Sequence, residues 1–144
     1  MENYYKNDDY KKSKKIINYF DKNDEEYYWY KLKKQTNIIL KEKGEKKSFE
    51  FINSKFKEIN QPSIKILVDM GNISKSFKNY ESSINYYSKA LSKITLDSKS
   101  YANILYRRGG SYERLGNFKN SDEDLLRSLE INPNDAYVLN YLAY

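Results

Sequence analysis

The chain has 144 residues, enough for one compact domain or a short repeat array. Lys and Arg number 26 and Asp and Glu 20, a formal charge of +6, and the 39% apolar fraction holds only because all 16 Tyr are counted in it. No run of ~18 apolar residues is present to cross a membrane, and the absence of Cys and His removes disulfides, thiolate nucleophiles, the commonest catalytic base and most transition-metal sites.

Two Pro and five Gly leave little material for loops, so the composition argues for a helical, non-catalytic protein. Lys outnumbers Arg 22 to 4, the bias of an AT-rich genome, which makes the positive charge a poor functional signal. The charge is also spread: residues 1–62 carry 15 basic and 11 acidic groups, and residues 63–144 carry 11 and 9. Residues 1–20 hold no apolar stretch followed by a small-residue cleavage site.

Apolar residues recur at helical spacing along nearly the whole chain, with no strand alternation and no hairpin dipeptide. The punctuation predicts helices over 8–21, 24–43, 45–59, 63–77, 79–94, 98–115, 117–131 and 134–144. Asp24, Glu25 and Glu26 put negative charge at the start of the second. Trp29 is expected to be buried, with Tyr27, Tyr28 and Tyr30 on the flanks. Ser63, Asn79 and Asn117 suit helix N-caps, and Asn134 and Asp135 follow Pro133 in the same role. Asp122, Glu123 and Asp124 read as a solvated early helical turn rather than as catalytic carboxylates. Gly109-Gly110 is followed by no Lys-Ser/Thr pair, so no phosphate loop is present, and no acidic loop has calcium-binding spacing.

Four segments share one spacing. Tyr80, Ser83, Tyr87 and Ala90 have the same offsets as Phe118, Ser121, Leu125 and Ser128. Tyr10, Ser13, Ile17 and Phe20 repeat them, as do Phe49, Ile52, Phe56 and Ile59. Each set occupies one helical face. A small residue lets a neighbouring helix approach, and a large one fills the adjoining gap. The last set breaks the small–large order, and a register of Lys46, Phe49, Asn53 and Phe56 is an alternative there. Gly71 lies nine residues before Tyr80, and Gly109 nine before Phe118. Gly71 and Gly109 are 38 apart and Ala143 follows Gly109 by 34, so about four extra residues are expected around Thr95 to Ser100.

A unit of two helices with small residues at these places resembles the tetratricopeptide repeat family. The best match runs from Ala102 to Asp135, through Leu105, Gly109, Tyr112, Gly116, Phe118, Leu125 and Pro133. The preceding unit matches at Leu67, Met70, Gly71, Tyr80, Ser83, Tyr87 and Ala90, with Ser74 where Tyr is usual. Trp29 and Leu32 repeat the opening of a unit, with Lys33 where the small residue belongs. The expected organisation is degenerate helices over 1–62, units over 63–97 and 98–135, and the first helix of a further unit over 136–144. Leu139 and Leu142 await a packing partner, which suggests a piece of a longer bacterial protein.

The resemblance implies an all-α, right-handed solenoid of antiparallel helix hairpins that binds a protein or peptide on its concave face, without cofactor or metal. It implies that the groove is lined by Lys65, Val68, Asn72, Lys75 and Ser76 of one unit. Asn103, Tyr106, Gly110, Glu113 and Arg114 come from the next, and Tyr137, Asn140 and Tyr144 from the last. The carboxylate clamp of some members is not supported: Asn72 matches, but Val68 replaces its Lys, and Tyr137 and Tyr141 replace its basic pair. Arg107 and Arg108 are expected to pair with carboxylates of the next unit, an acidic partner being the alternative. RNA binding through Tyr–Lys interleaving, an accessory domain of a larger enzyme and a structural spacer are the competing functions.

Overall fold

The structure is a computed structural model that describes residues 24–143. The expected helix over 8–21, with Tyr10, Ser13, Ile17 and Phe20, and the groove position Tyr144 lie outside them. Seven α-helices and no strands occur among the described residues. The chain divides into two compact units, Met1–Asn60 and Gln61–Tyr144.

The first unit holds α1 (Glu25–Lys43) and α2 (Glu45–Lys57), packed together as a hairpin. Asp24 caps α1 by accepting from the Tyr27 N–H. Gly44 makes the reversal with φ of 89°, a left-handed conformation open to glycine at little cost. The pairing is antiparallel. Trp29 meets Phe56 edge-on at one end, with ring centres 6.4 Å apart. At the other end, the buried hydroxyl of Ser48 donates to the Thr36 carbonyl at 2.8 Å.

The buried set of this hairpin corrects the sequence register. It is Leu32, Thr36, Ser48 and Ile52, with Trp29 beside them. Thr36, not the half-buried Lys33, holds the small-residue place, one turn further along α1. On α2 the seam falls on Ser48 and Ile52, while Phe49, Phe56 and Ile59 are only half-buried. The physical reason is volume: a hydroxyl-bearing Ser against a backbone carbonyl allows the two helices to close, which a lysine stem cannot.

The second unit holds α3 (Ile64–Ser76), α4 (Tyr80–Leu91), α5 (Lys99–Arg114), α6 (Phe118–Ile131) and α7 (Ala136–Leu142). Each packs on the next. Ser63, Asn79 and Asn117 cap α3, α4 and α6 through their side-chain oxygens. Ser98 caps α5, and Asp135 rather than Asn134 caps α7. Gly116 takes φ of 79° between α5 and α6, and Lys78 takes 61° at the same place between α3 and α4. The additional residues before α5 are divided between a longer connection, 92–98, and an extra turn at the start of that helix.

The close contacts fall where the repeat spacing puts them. A Cβ on Gly71 would run into the ring of Tyr87, and one on Gly109 would lie 3.1 Å from Leu125 Cγ. Ser83, Tyr87 and Ala90 of α4 and Ser121, Leu125 and Ser128 of α6 are buried. Ser83 donates to Ser111 on α5 at 2.7 Å, and Ser128 donates to the Ala102 carbonyl at 2.8 Å. Small polar residues thus make the seams and keep their hydroxyls satisfied. Ser74, placed where the pattern expects Tyr, is the exception, a buried hydroxyl without a partner.

Three side chains depart from expectation. Phe118 is 62% exposed, because it borders an open cavity of about 430 Å³ with Ser121, Leu125, Tyr141 and Leu142. Asp122 and Glu123 are solvated, but Asp124 is buried, since it shares the inner face with Ser121, Leu125 and Ser128. It receives Arg108 in a two-pronged ion pair, Nε to Oδ2 and Nη2 to Oδ1, both at 2.7 Å. Arg108 therefore pairs within its own helix hairpin, not with the next one. Its Nη1 donates to Ser88 of α4 at 3.1 Å.

Candidate functional site

The expected groove residues lie on α3, α5 and α7. On α3, Lys65 and Ser76 are exposed, and Val68, Asn72 and Lys75 are half-buried. Ser76 returns its hydroxyl to the Ile73 carbonyl of its own helix. On α5, Asn103 and Arg114 are exposed, Tyr106 and Glu113 are half-buried, and Gly110 is buried. On α7, Tyr137 is 74% exposed and Asn140 is exposed.

Some of these meet. Asn72 accepts from Tyr87 Oη at 2.5 Å and from Arg107 Nη1 at 3.1 Å. Arg107 Nε donates to Asn103 at 2.8 Å. The Arg107 guanidinium thus spans α3 and α5 on neutral acceptors, where the sequence suggested a carboxylate. Tyr106 meets Tyr141 edge-on, ring centres 6.1 Å apart, and the Tyr141 hydroxyl donates to Glu113 at 2.9 Å. Lys75 reaches across from α3 to lie over Gly110. Ser76 and Tyr137 make no such link.

Arg107 and Tyr141 are central here, yet the implied groove contained neither. The signal for Arg107 was spacing: it is four residues after Asn103 and three before Gly110, on one face of α5. Tyr141 lies four residues after Tyr137, so α7 presents both.

The charges are crowded. Burial pushes the Lys75 ammonium below its ordinary pKa, and the Arg107 and Arg114 charges add to the effect, with Glu113 opposing it. Burial raises the Tyr87 phenol to about 12. The Tyr141 phenol also rises to about 12, by burial and then by its bond to Glu113. Both stay protonated at neutral pH and can act as donors. No group of carboxylates among the described residues is placed to hold a metal ion.

A sequence profile of the tetratricopeptide repeat matches residues 64–92 and 102–135. The two matches coincide with the hairpins α3–α4 and α5–α6, whose glycines sit at the close helix contacts. The chain is a tetratricopeptide repeat protein. No curated protein matches it. Tetratricopeptide repeats generally mediate protein–protein interactions, and the family is typically non-catalytic. In this tetratricopeptide repeat protein, the first helices of the two matched hairpins, α3 and α5, carry ten of the expected groove positions between them. No helix among the described residues is long and apolar enough to cross a membrane.

Proposed function

We propose that the chain is a non-catalytic interaction scaffold whose binding face is formed by α3, α5 and α7. The partner is a protein segment that presents acidic and apolar groups. The observation that carries this reading is the composition of that face. Lys75, Arg107 and Arg114 supply positive charge beside the half-buried Val68 and Tyr106. Charge speeds and orients an encounter, while desolvated aromatic and aliphatic contacts supply most of the affinity.

The exposed ring of Tyr137 extends the apolar strip along α7. The hydrogen bonds of Asn72, Arg107 and Asn103 hold the α3–α5 part of the face in one arrangement before a ligand arrives, which lowers the ordering cost of binding.

The test is capture of partners from the source organism with the wild type and with Tyr106→Ala/Tyr137→Ala. Asn72 is unsuitable for this purpose because it also holds Tyr87 and Arg107. The reading expects loss of the partner from the double variant at unchanged helicity. Equal retention would move the interface off this face.

A further inference from the structure

Asn103, Arg107, Gly110 and Arg114 follow one another on α5 at steps of four, three and four residues, so they form a single row on one helical face. Gly110 leaves a gap in the middle of that row. Lys75 of α3 fills the gap: its ammonium lies 2.7 Å from the point where a Gly110 Cβ would stand. The Tyr141 hydroxyl stands 3.7 Å from the same point. Three cations, Arg107, Lys75 and Arg114, are thereby gathered around Gly110, with the Tyr141 phenol beside them.

Their compensation is incomplete. Among the described residues Glu113 is the carboxylate set against the Lys75 charge, and its Oε2 already accepts the Tyr141 hydroxyl. Arg107 uses Nε and Nη1 on the side-chain oxygens of Asn103 and Asn72, which orient it without cancelling its charge. The adjacent Arg108 is the contrast, fully engaged by Asp124 and Ser88. Like charges gathered in a half-buried place repel one another, so the cluster is suited to an anion that joins them.

We propose that this cation cluster is a subsite for a phosphomonoester carried by the partner, so that the groove takes a phosphorylated peptide and phosphorylation switches binding on. The proposal rests on the reading of this face as the binding surface and names what it recognises. Three cations against one carboxylate leave about two positive charges, which match the −1.5 to −2 of a phosphomonoester near neutral pH. Its oxygens suit the Nη2 edge of Arg107, the Arg114 guanidinium and the Lys75 ammonium together, whereas one carboxylate would neutralise half the excess. A nucleic-acid backbone fits less well. It needs a track of cations that neutralises many phosphates, and residues 63–144 carry only 11 basic groups against 9 acidic ones.

The experiment is a titration of the isotopically labelled 144-residue chain with two capped tripeptides, Leu-phosphoserine-Leu and Leu-Glu-Leu, followed by NMR. The phosphoserine peptide should shift the Gly110 amide and the Arg107 Nε–H signals and bind about tenfold or more tighter than the Glu peptide. Arg107→Gln/Arg114→Gln should abolish the difference, and Gly110→Ala, which displaces Lys75, should reduce it. Equal affinity for the two peptides, or no response at Gly110, would overturn the proposal. Tighter binding of a hexauridine oligonucleotide than of the phosphoserine peptide would replace it with nucleic-acid recognition. A partner lost on Tyr106→Ala/Tyr137→Ala but retained in full after phosphatase treatment of both proteins would leave the groove standing and end the phosphate assignment.

Discussion

Ser48 donates its hydroxyl to the main-chain carbonyl of Thr36, twelve residues earlier, and both side chains are sealed from solvent. The same step separates Gly71 from Ser83 and Gly109 from Ser121. In each hairpin a large buried residue follows four positions later: Ile52, Tyr87 or Leu125. The α1–α2 hairpin therefore closes on the same twelve-residue step as the two matched repeats.

Ser48→Leu should destabilise that hairpin by ~1–3 kcal/mol through overpacking, while Lys47→Leu at the exposed neighbouring site should be close to neutral. Trp29 is the sole tryptophan and is buried in this unit, so its fluorescence reads the unit directly. Equal denaturation midpoints for the two variants would contradict the Thr36–Ser48 register.

Two glycines on inner helices should respond in opposite directions. Gly71→Ala forces a methyl into the ring of the fully buried Tyr87, and the cost of ~1–3 kcal/mol should exceed the gain in helix propensity. At Gly110 the obstacle is only the movable end of Lys75, so Gly110→Ala should raise stability by up to ~1 kcal/mol. Thermal melts of the two variants check the pair.

Arg108 ties α5 to both neighbours, through Asp124 on α6 and Ser88 on α4. Asp124→Ala leaves a half-buried guanidinium without its carboxylate and should cost about 3 kcal/mol. Arg108→Met/Asp124→Leu should recover most of the loss, since the pair is replaced by apolar groups of similar volume. Chemical denaturation of the two proteins measures this, and a double variant as unstable as the single one would assign the loss to packing alone.

Much of this was legible in the sequence because it depends on local spacing. The helices, the caps at Ser63, Asn79 and Asn117, and the close approaches at Gly71 and Gly109 follow from periodicity and turn chemistry. The register of the first hairpin does not, because Trp29 and Leu32 imitate a unit opening one turn before the place that Thr36 holds. Asp124 continues the charged run of Asp122 and Glu123, although its phase on α6 belongs to Ser121 and Ser128. The cation row was hidden for another reason. Lys75 and Gly110 lie on different helices, and only the packing of α3 against the α4–α5 layer brings them together.

Tyr87 gives the protein a defined alkaline weakness. An unfolded tyrosine releases its proton near 10, whereas the folded Tyr87 holds it to about 12. Between those values the unfolded chain binds fewer protons than the folded one, so stability falls as pH rises and levels off above the upper value. Tyr87→Phe should be less stable at neutral pH, by about 1 kcal/mol for the lost bond to Asn72. Its decline between pH 10 and 12 should be shallower than that of the wild type, as followed by denaturant titrations across that range.

The most direct test of the binding face is site-specific photo-cross-linking with benzoylphenylalanine in place of Asn103 or Tyr137, and in place of Leu126 as the comparison. All three sites are exposed, the first two on α5 and α7 and the third on α6. The account predicts that the partner is captured from Asn103 and Tyr137 and not from Leu126. Capture from Leu126 alone would contradict it and place the interaction on the second helices of the repeats.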